Sequence, residues 1–214
     1  MTDDLAKRIV GHYEKYALAW DRDRQNSVRS GVWIDKGWHD DFIGRLAKGA
    51  SVLDLGCGPG RPVAEHMLNH GLRVTGVDAS ATMIALCRER LPNHKWPHCE
   101  WIVADMRRLA LGRRFDAILA WDSLFHLNHE DQRRMFAVFA AHAATGAWLM
   151  FNTGPDHGEA IGEYHGEPLY HASLSHAEYQ ALAAASGFDV ILHVANDATA
   201  GGRTAWLCRN RQPA

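Results

Sequence analysis

From Ser51 onward, short runs of β-type residues alternate with amphipathic helical runs, and that order confines the chain to a mostly parallel sheet with helices on both faces. "SVLDL" is the first strand. A helix over residues 61–70 follows, with Pro62 tolerated in its first turn and Gly71 at its end. "RVTGVD" is the second strand, and Ser80 caps the helix "ATMIALCRERL", which stops at Pro92. "CEWIVAD" and "FDAILAW" supply the third and fourth strands, Asn128 caps "HEDQRRMFAVFAAHA", and "AWLMFN" is the fifth strand. Ser175 and Glu178 form a capping box opening "AEYQALAAAS", which ends at Gly187. "DVILHVA" and "TAWLCRN", separated by a Gly-Gly turn, read as an antiparallel pair. Two segments stand outside this pattern. Residues 1–48, mostly helical in periodicity, are expected to form an N-terminal cap. Residues 153–174, rich in Gly and His, are expected to insert a hairpin around His165-Gly166-Glu167 at the mouth of a site.

A chain of 214 residues with 47% hydrophobic side chains fills one core, so residues 1–214 are read as a single domain. The net charge of -2 gives no electrostatic reason to expect a nucleic acid or an anionic membrane as partner. The pairs Arg107-Arg108, Arg113-Arg114 and Arg133-Arg134 fall on separate elements and read as solvated faces. "MTDDLAKRIV" lacks the apolar block of a secretory signal, and no apolar run approaches membrane-spanning length, so a soluble cytoplasmic protein is expected. Cys57, Cys87, Cys99 and Cys208 have no CxxC spacing and fit thiols.

The turn after the first strand, "LGCGPGR", carries three glycines, which let the backbone bend tightly and leave room for a ligand against it. A dinucleotide fingerprint needs a glycine where this chain has Arg61, and no Gly-Lys-Ser/Thr follows to hold phosphates. The pattern is instead Asp54-x-Gly56-x-Gly58-x-Gly60, and a carboxylate at the strand end suits a cationic ligand. Asp78, ending the second strand with Ala79 beside it, can accept from two ribose hydroxyls. Asp105, after the third, can accept from an adenine amino group, with Met106 packing on the base. Either acid alone also reads as a turn residue or helix cap. Met83, one helical turn beyond Ser80, reads as core.

Taken together, these residues resemble the class I S-adenosylmethionine-dependent methyltransferases, and the resemblance runs in order through residues 51–209. "FDAILAWDSLFHL" and "EYHGEPLYHASLSHAEYQALAAASGFDV" are similar to a bacterial, small-molecule branch. The resemblance implies a Rossmann-like, seven-stranded sheet whose last strand runs antiparallel to the rest. It implies S-adenosylmethionine as cofactor and S-adenosylhomocysteine as product, bound by Asp54, Gly56, Gly58, Gly60, Asp78, Ala79, Asp105, Met106 and Trp121. Methyl transfer from a sulfonium is an in-line displacement, so the protein aligns the acceptor and, where needed, removes its proton. "WDSLFHL" after the fourth strand stands at that position. His126 and Asp122 are its candidate catalytic residues, His126 because an imidazole titrates near neutrality and Ser123 as an orienting hydroxyl. His126 reads equally as a packed histidine with a satisfied hydrogen bond.

Nucleic-acid amino methyltransferases of this class carry an Asn/Asp-Pro-Pro-Tyr/Phe motif where this chain has Trp121-Asp122-Ser123-Leu124, which points to a small-molecule acceptor with O or N as the receiving atom. Two other readings stand beside this: a cofactor-binding protein without catalysis, and a nicotinamide oxidoreductase, which Arg61 disfavours. Tyr13, Tyr16 and Trp20 form one aromatic helix face, read as packing on the sheet, although it could also close over a sulfonium. His157, His165 and His171, and the run "HKWPHC", have no established ligand spacing among 14 histidines, so no metal is expected.

Overall fold

The structure is a computed structural model that describes residues 2–211. Helices α1 (Thr2–Arg29) and α2 (Lys36–Gly44) precede the alternating part. There follow β1 (Ser51–Leu55), α3 (Val63–Asn69), β2 (Arg73–Asp78), α4 (Ala81–Arg90), β3 (Cys99–Val103), β4 (Phe115–Ala120), α5 (His129–His142) and β5 (Ala143–Thr153). A hairpin of β6 (Gly158–Tyr164) and β7 (Glu167–Ser173) comes next, then α6 (His176–Ala185), β8 (Phe188–Asp197) and β9 (Arg203–Asn210).

Seven strands form one sheet in the order β3-β2-β1-β4-β5-β9-β8. β1 to β5 run parallel, and β9 inserts antiparallel between β5 and β8. The crossover from β3 back to β4, beside β1, makes a switch point, and the carboxyl ends of β1 and β4 open there into a crevice. One face of the sheet packs through Val52, Val74 and Leu119 against Phe42, Met67 and Ile84, and the other through Leu53, Ile118 and Phe151 against Phe136, Phe139 and Tyr179. Near-continuous apolar strands such as "FDAILA" are what burial on both faces requires.

The predicted caps are present: Ser80, Asn128 and Ser175 accept from the backbone N–H of Met83, Asp131 and Glu178. Three expectations are corrected. The helix expected from residue 61 begins at Val63, because a residue preceding proline is barred from the helical region and Arg61 precedes Pro62. β5 begins at Ala143, which pairs with Phe115 ahead of a register shift to Ala117 and Trp148. The third correction concerns α1, which packs away from the sheet. It lies across β7 and α4, because the β6–β7 hairpin rises beneath it: Tyr16 stacks on His165, and Trp20 meets Tyr164 edge-on. The hairpin turns through His165 and Gly166, both at positive φ, as a two-residue turn between paired Tyr164 and Glu167 requires.

Candidate active site

The strand ends at the switch point and α1 line one concavity that opens to solvent beside the glycine loop. Asp54, Gly56, Gly58, Asp78, Ala79, Asp105, Met106, Trp121, Asp122 and His126, all singled out from sequence, line it. Gly60 does not. A Cβ there would stand 3.0 Å from Leu91 and 3.1 Å from the Cys87 thiol, so this glycine lets the loop lie against α4 and faces away from the cavity. The structure thus shows a packing role for Gly60 beside the cofactor contact expected of it.

The other two glycines divide their tasks. Gly56 has φ 77°, and a Cβ on it would lie 2.4 Å from the Ser123 Cβ, so close passage of the β1 and β4 loops demands glycine there. Gly58 has φ 53° and a Cβ would meet no atom within 4 Å, which leaves its surface open to a ligand. Behind it, the Asp78 carboxylate accepts from the N–H of Gly58 at 2.9 Å and of Ser80 at 2.8 Å. Burial raises the Asp78 carboxyl above its ordinary value although these N–H groups oppose the rise.

Asp54 is the more unusual of the two acids. The residue is 4% exposed and lines the cavity, and no hydrogen bond reaches its carboxylate among the described residues. Burial, reinforced by the charge of Asp78, pushes it up to about 7. A bare buried carboxylate beside a second one fits a cationic ligand, which would supply the missing partner.

On the base side, Asp105 is not free. Arg107 grips it through Nε at 2.9 Å and Nη2 at 2.6 Å, and the Arg107 backbone N–H caps it at 3.0 Å. Burial raises the Asp105 carboxyl, but Arg107 outweighs it and holds the group below its ordinary value. Met106 lines the cavity beside it.

The acceptor side departs furthest from expectation. Asp122, with φ 53°, accepts from Arg203 Nη2 at 2.9 Å, Asn152 Nδ2 at 2.7 Å and Arg24 Nη1 at 3.4 Å, so its carboxylate is occupied by a cation cluster and its candidacy as a base is weakened. Ser123 donates to the Leu55 carbonyl at 2.7 Å and ties the two loops together. Trp121 donates to Asp35 at 2.7 Å and packs against Trp38 and His39. His126 is buried between the Tyr170 carbonyl, 3.0 Å from Nδ1, and the Tyr13 hydroxyl, 2.7 Å from Nε2. Burial, aided by His171, lowers it to about 3, so the near-neutral titration expected of it is corrected: this imidazole stays neutral.

Sequence reasoning missed Arg24, Asp35, Asn152 and Arg203, which come from α1, the α1–α2 connection, β5 and β9. Only the i, i+4, i+7, i+11 series Tyr13, Ala17, Trp20, Arg24 on α1 hinted at one of them. Arg24 stands 3.4 Å from Asp122 and 3.9 Å from Asp35, longer than a good charge-assisted bond, so its guanidinium retains donors for an anionic group. Among the described residues, no three His, Cys, Asp or Glu side chains converge as metal ligands, and no helix is long and apolar enough to cross a membrane.

Residues 52–146 match the family model of a methyltransferase domain. The chain is 41% identical over 76 residues to trans-aconitate 2-methyltransferase of Escherichia fergusonii, covering 34% of this chain and 27% of that protein. It is 36% identical over 97 residues to dTDP-3-amino-3,6-dideoxy-alpha-D-glucopyranose N,N-dimethyltransferase of Streptomyces fradiae, covering 44% and 36%. The matches thus span about a quarter to a third of these relatives' lengths. Among solved structures, the DhpI–SAH complex superposes with a TM-score of 0.73 at 21% identity over 98% of both chains, which shows a shared fold.

Proposed function

We propose that this chain, which carries a methyltransferase domain and the Rossmann-like methyltransferase fold, transfers a methyl group from S-adenosylmethionine to an oxygen or nitrogen atom of a small molecule, releasing S-adenosylhomocysteine. The observation that carries the reading is the pair of carboxylates around Gly58: Asp54, which no hydrogen bond reaches among the described residues, and Asp78, which the N–H groups of Gly58 and Ser80 hold at the edge of the cavity. When bound, the cofactor supplies a methyl group activated by its sulfonium. Asp78 would accept from the ribose hydroxyls, Asp54 would face the cationic end, and Ala79 and Met106 would flank the base. Asp105 would accept from the adenine amino group with the lone pairs that Arg107 leaves. Arg24 would receive the cofactor carboxylate, and Trp121 would wall that end.

This reading takes the chain as one unit. The helical cap and the 153–174 insert then form the acceptor side, since Tyr13 and Trp20 stand in the cavity wall and the insert backs them. Four free thiols support a reducing, cytoplasmic setting. The test is calorimetric titration with S-adenosylmethionine, S-adenosylhomocysteine and, as a control, reduced nicotinamide dinucleotide. Only the first two should bind, and Asp78→Ala should weaken them by about 1.5–3 kcal/mol, the value of hydrogen bonds to a charged group. Unchanged affinity in a folded Asp78→Ala protein would remove the ribose assignment.

A further inference from the structure

We propose that Tyr13 receives the acceptor and that its hydrogen bond to His126 restricts the acceptor to a neutral amine; the inference rests on the methyltransferase reading above. The Tyr170 carbonyl can only accept. His126 Nδ1, 3.0 Å from it, therefore carries the ring proton, and Nε2 is left with a lone pair. The Tyr13 hydroxyl, 2.7 Å from Nε2, must donate to it. No other hydrogen bond involves the Tyr13 hydroxyl among the described residues, so it turns lone pairs alone toward the cavity it lines. Such an oxygen accepts from an N–H or O–H and repels a carboxylate.

The surroundings then separate amine from hydroxyl. A neutral alcohol or phenol needs a base as it reacts, and the other titratable groups around Tyr13 supply none: Asp105 is held by Arg107, the Cys57 thiol donates to the Gly58 carbonyl, and His12, edge-on to the Tyr13 ring, lies outside the cavity lining. The accepting lone pair of His126 is used by Tyr13 itself, and His171 and Arg203 disfavour an added positive charge on His126. Asp122 is held by Arg203 and Asn152, and the Ser123 hydroxyl donates to a carbonyl. Asp54 and Asp78 face the cofactor in this reading. Burial together with the carboxylates of Asp122 and Asp78 raises the Tyr13 phenol, which keeps its proton. A neutral amine requires no base. Its nitrogen lone pair forms the N–C bond as the C–S bond breaks, the C–S electrons remain on sulfur, and the product leaves as an ammonium ion that loses its proton to water. Tyr13 is thus the acceptor-contacting residue and His126 a positioning residue acting through it.

The test has two parts on the full chain with S-adenosylhomocysteine or radiolabelled S-adenosylmethionine. Nitrogen-15 NMR of histidine-labelled protein in the S-adenosylhomocysteine complex should show His126 neutral with its proton on Nδ1 at pH 6–8, and Tyr13→Phe should shift Nε2. Methyl transfer is then measured to benzylamine, benzyl alcohol and benzoate, which share one ring, with the amine as the sole product-forming member. Tyr13→Phe should reduce amine turnover by about 10- to 100-fold without changing S-adenosylhomocysteine affinity. His126→Leu should match that loss, the double variant should lose no more, and His126→Gln, which restores an acceptor near Nε2, should recover part of it. An Nε2-protonated or cationic His126 overturns the proposal, as does transfer to the alcohol or carboxylate at a rate comparable to the amine, or unchanged turnover in Tyr13→Phe. Failure to bind S-adenosylhomocysteine at all refutes the methyltransferase reading instead.

Discussion

Replacing Asp54 by Asn should stabilise the ligand-free fold and impair its function at the same time. The carboxyl sits at about 7 in the folded protein against an ordinary value of 3.8, raised first by burial and then by Asp78. A raised acid binds a proton in the folded chain that the unfolded chain releases, so stability falls as pH rises from about 4 to 7 and stays low above that. Three pKa units correspond to about 4 kcal/mol at pH 8. The amide carries no charge to desolvate, although burying it with incomplete hydrogen bonding costs about 1–3 kcal/mol. Asp54→Asn should therefore be more stable than the parent by about 1–3 kcal/mol at pH 8. That advantage should vanish near pH 4, where the parent carboxyl is protonated in the fold and roughly two-fifths so in the unfolded chain. Urea denaturation of ligand-free protein at the two pH values measures the difference, and titration with S-adenosylmethionine should show affinity lost by about 10-fold or more. An Asp54→Asn protein less stable than the parent at pH 8 would refute the bare-carboxylate argument, because it would mean that Asp54 has a partner holding it ionised.

Gly56→Ala should cost about 2–4 kcal/mol in thermal or urea unfolding, since the added methyl meets Ser123 at 2.4 Å as well as a positive φ. Gly58→Ala should cost only about 1 kcal/mol of stability, from its φ of 53°, yet weaken S-adenosylhomocysteine binding in titration, because its Cβ enters the open space that the proposed function gives to the ligand. Glu14, which accepts from Ser80 Oγ at 2.5 Å and Thr82 Oγ1 at 2.6 Å, ties α1 to the start of α4 over the cavity. Glu14→Ala should speed cofactor release roughly tenfold in stopped-flow measurements, with little change in global unfolding.

The order of strands and helices, their caps and the acids at three successive strand ends were legible in the sequence because they rest on local physics. Apolar periodicity, the backbone freedom of Gly56 and Gly58, and the side-chain caps at Ser80, Asn128 and Ser175 all act within a few residues. What a side chain meets across the chain is decided by tertiary structure alone. Glycine spacing could not tell Gly60, pressed against Leu91 and Cys87, from Gly58, open to the cavity, because the difference lies in which way the loop turns over α4. The titratable group in "WDSLFHL" could be named from sequence, but its protonation could not: His126 stays neutral because burial and the nearby His171 lower it against the opposing Tyr170 carbonyl, and the hairpin and α1 that bring Tyr170 and Tyr13 onto it lie 44 and 113 positions away. Asp122 likewise loses its freedom to Arg203, 81 residues distant. Burial and long-range charge set what each group can do, and neither is defined until the chain has folded.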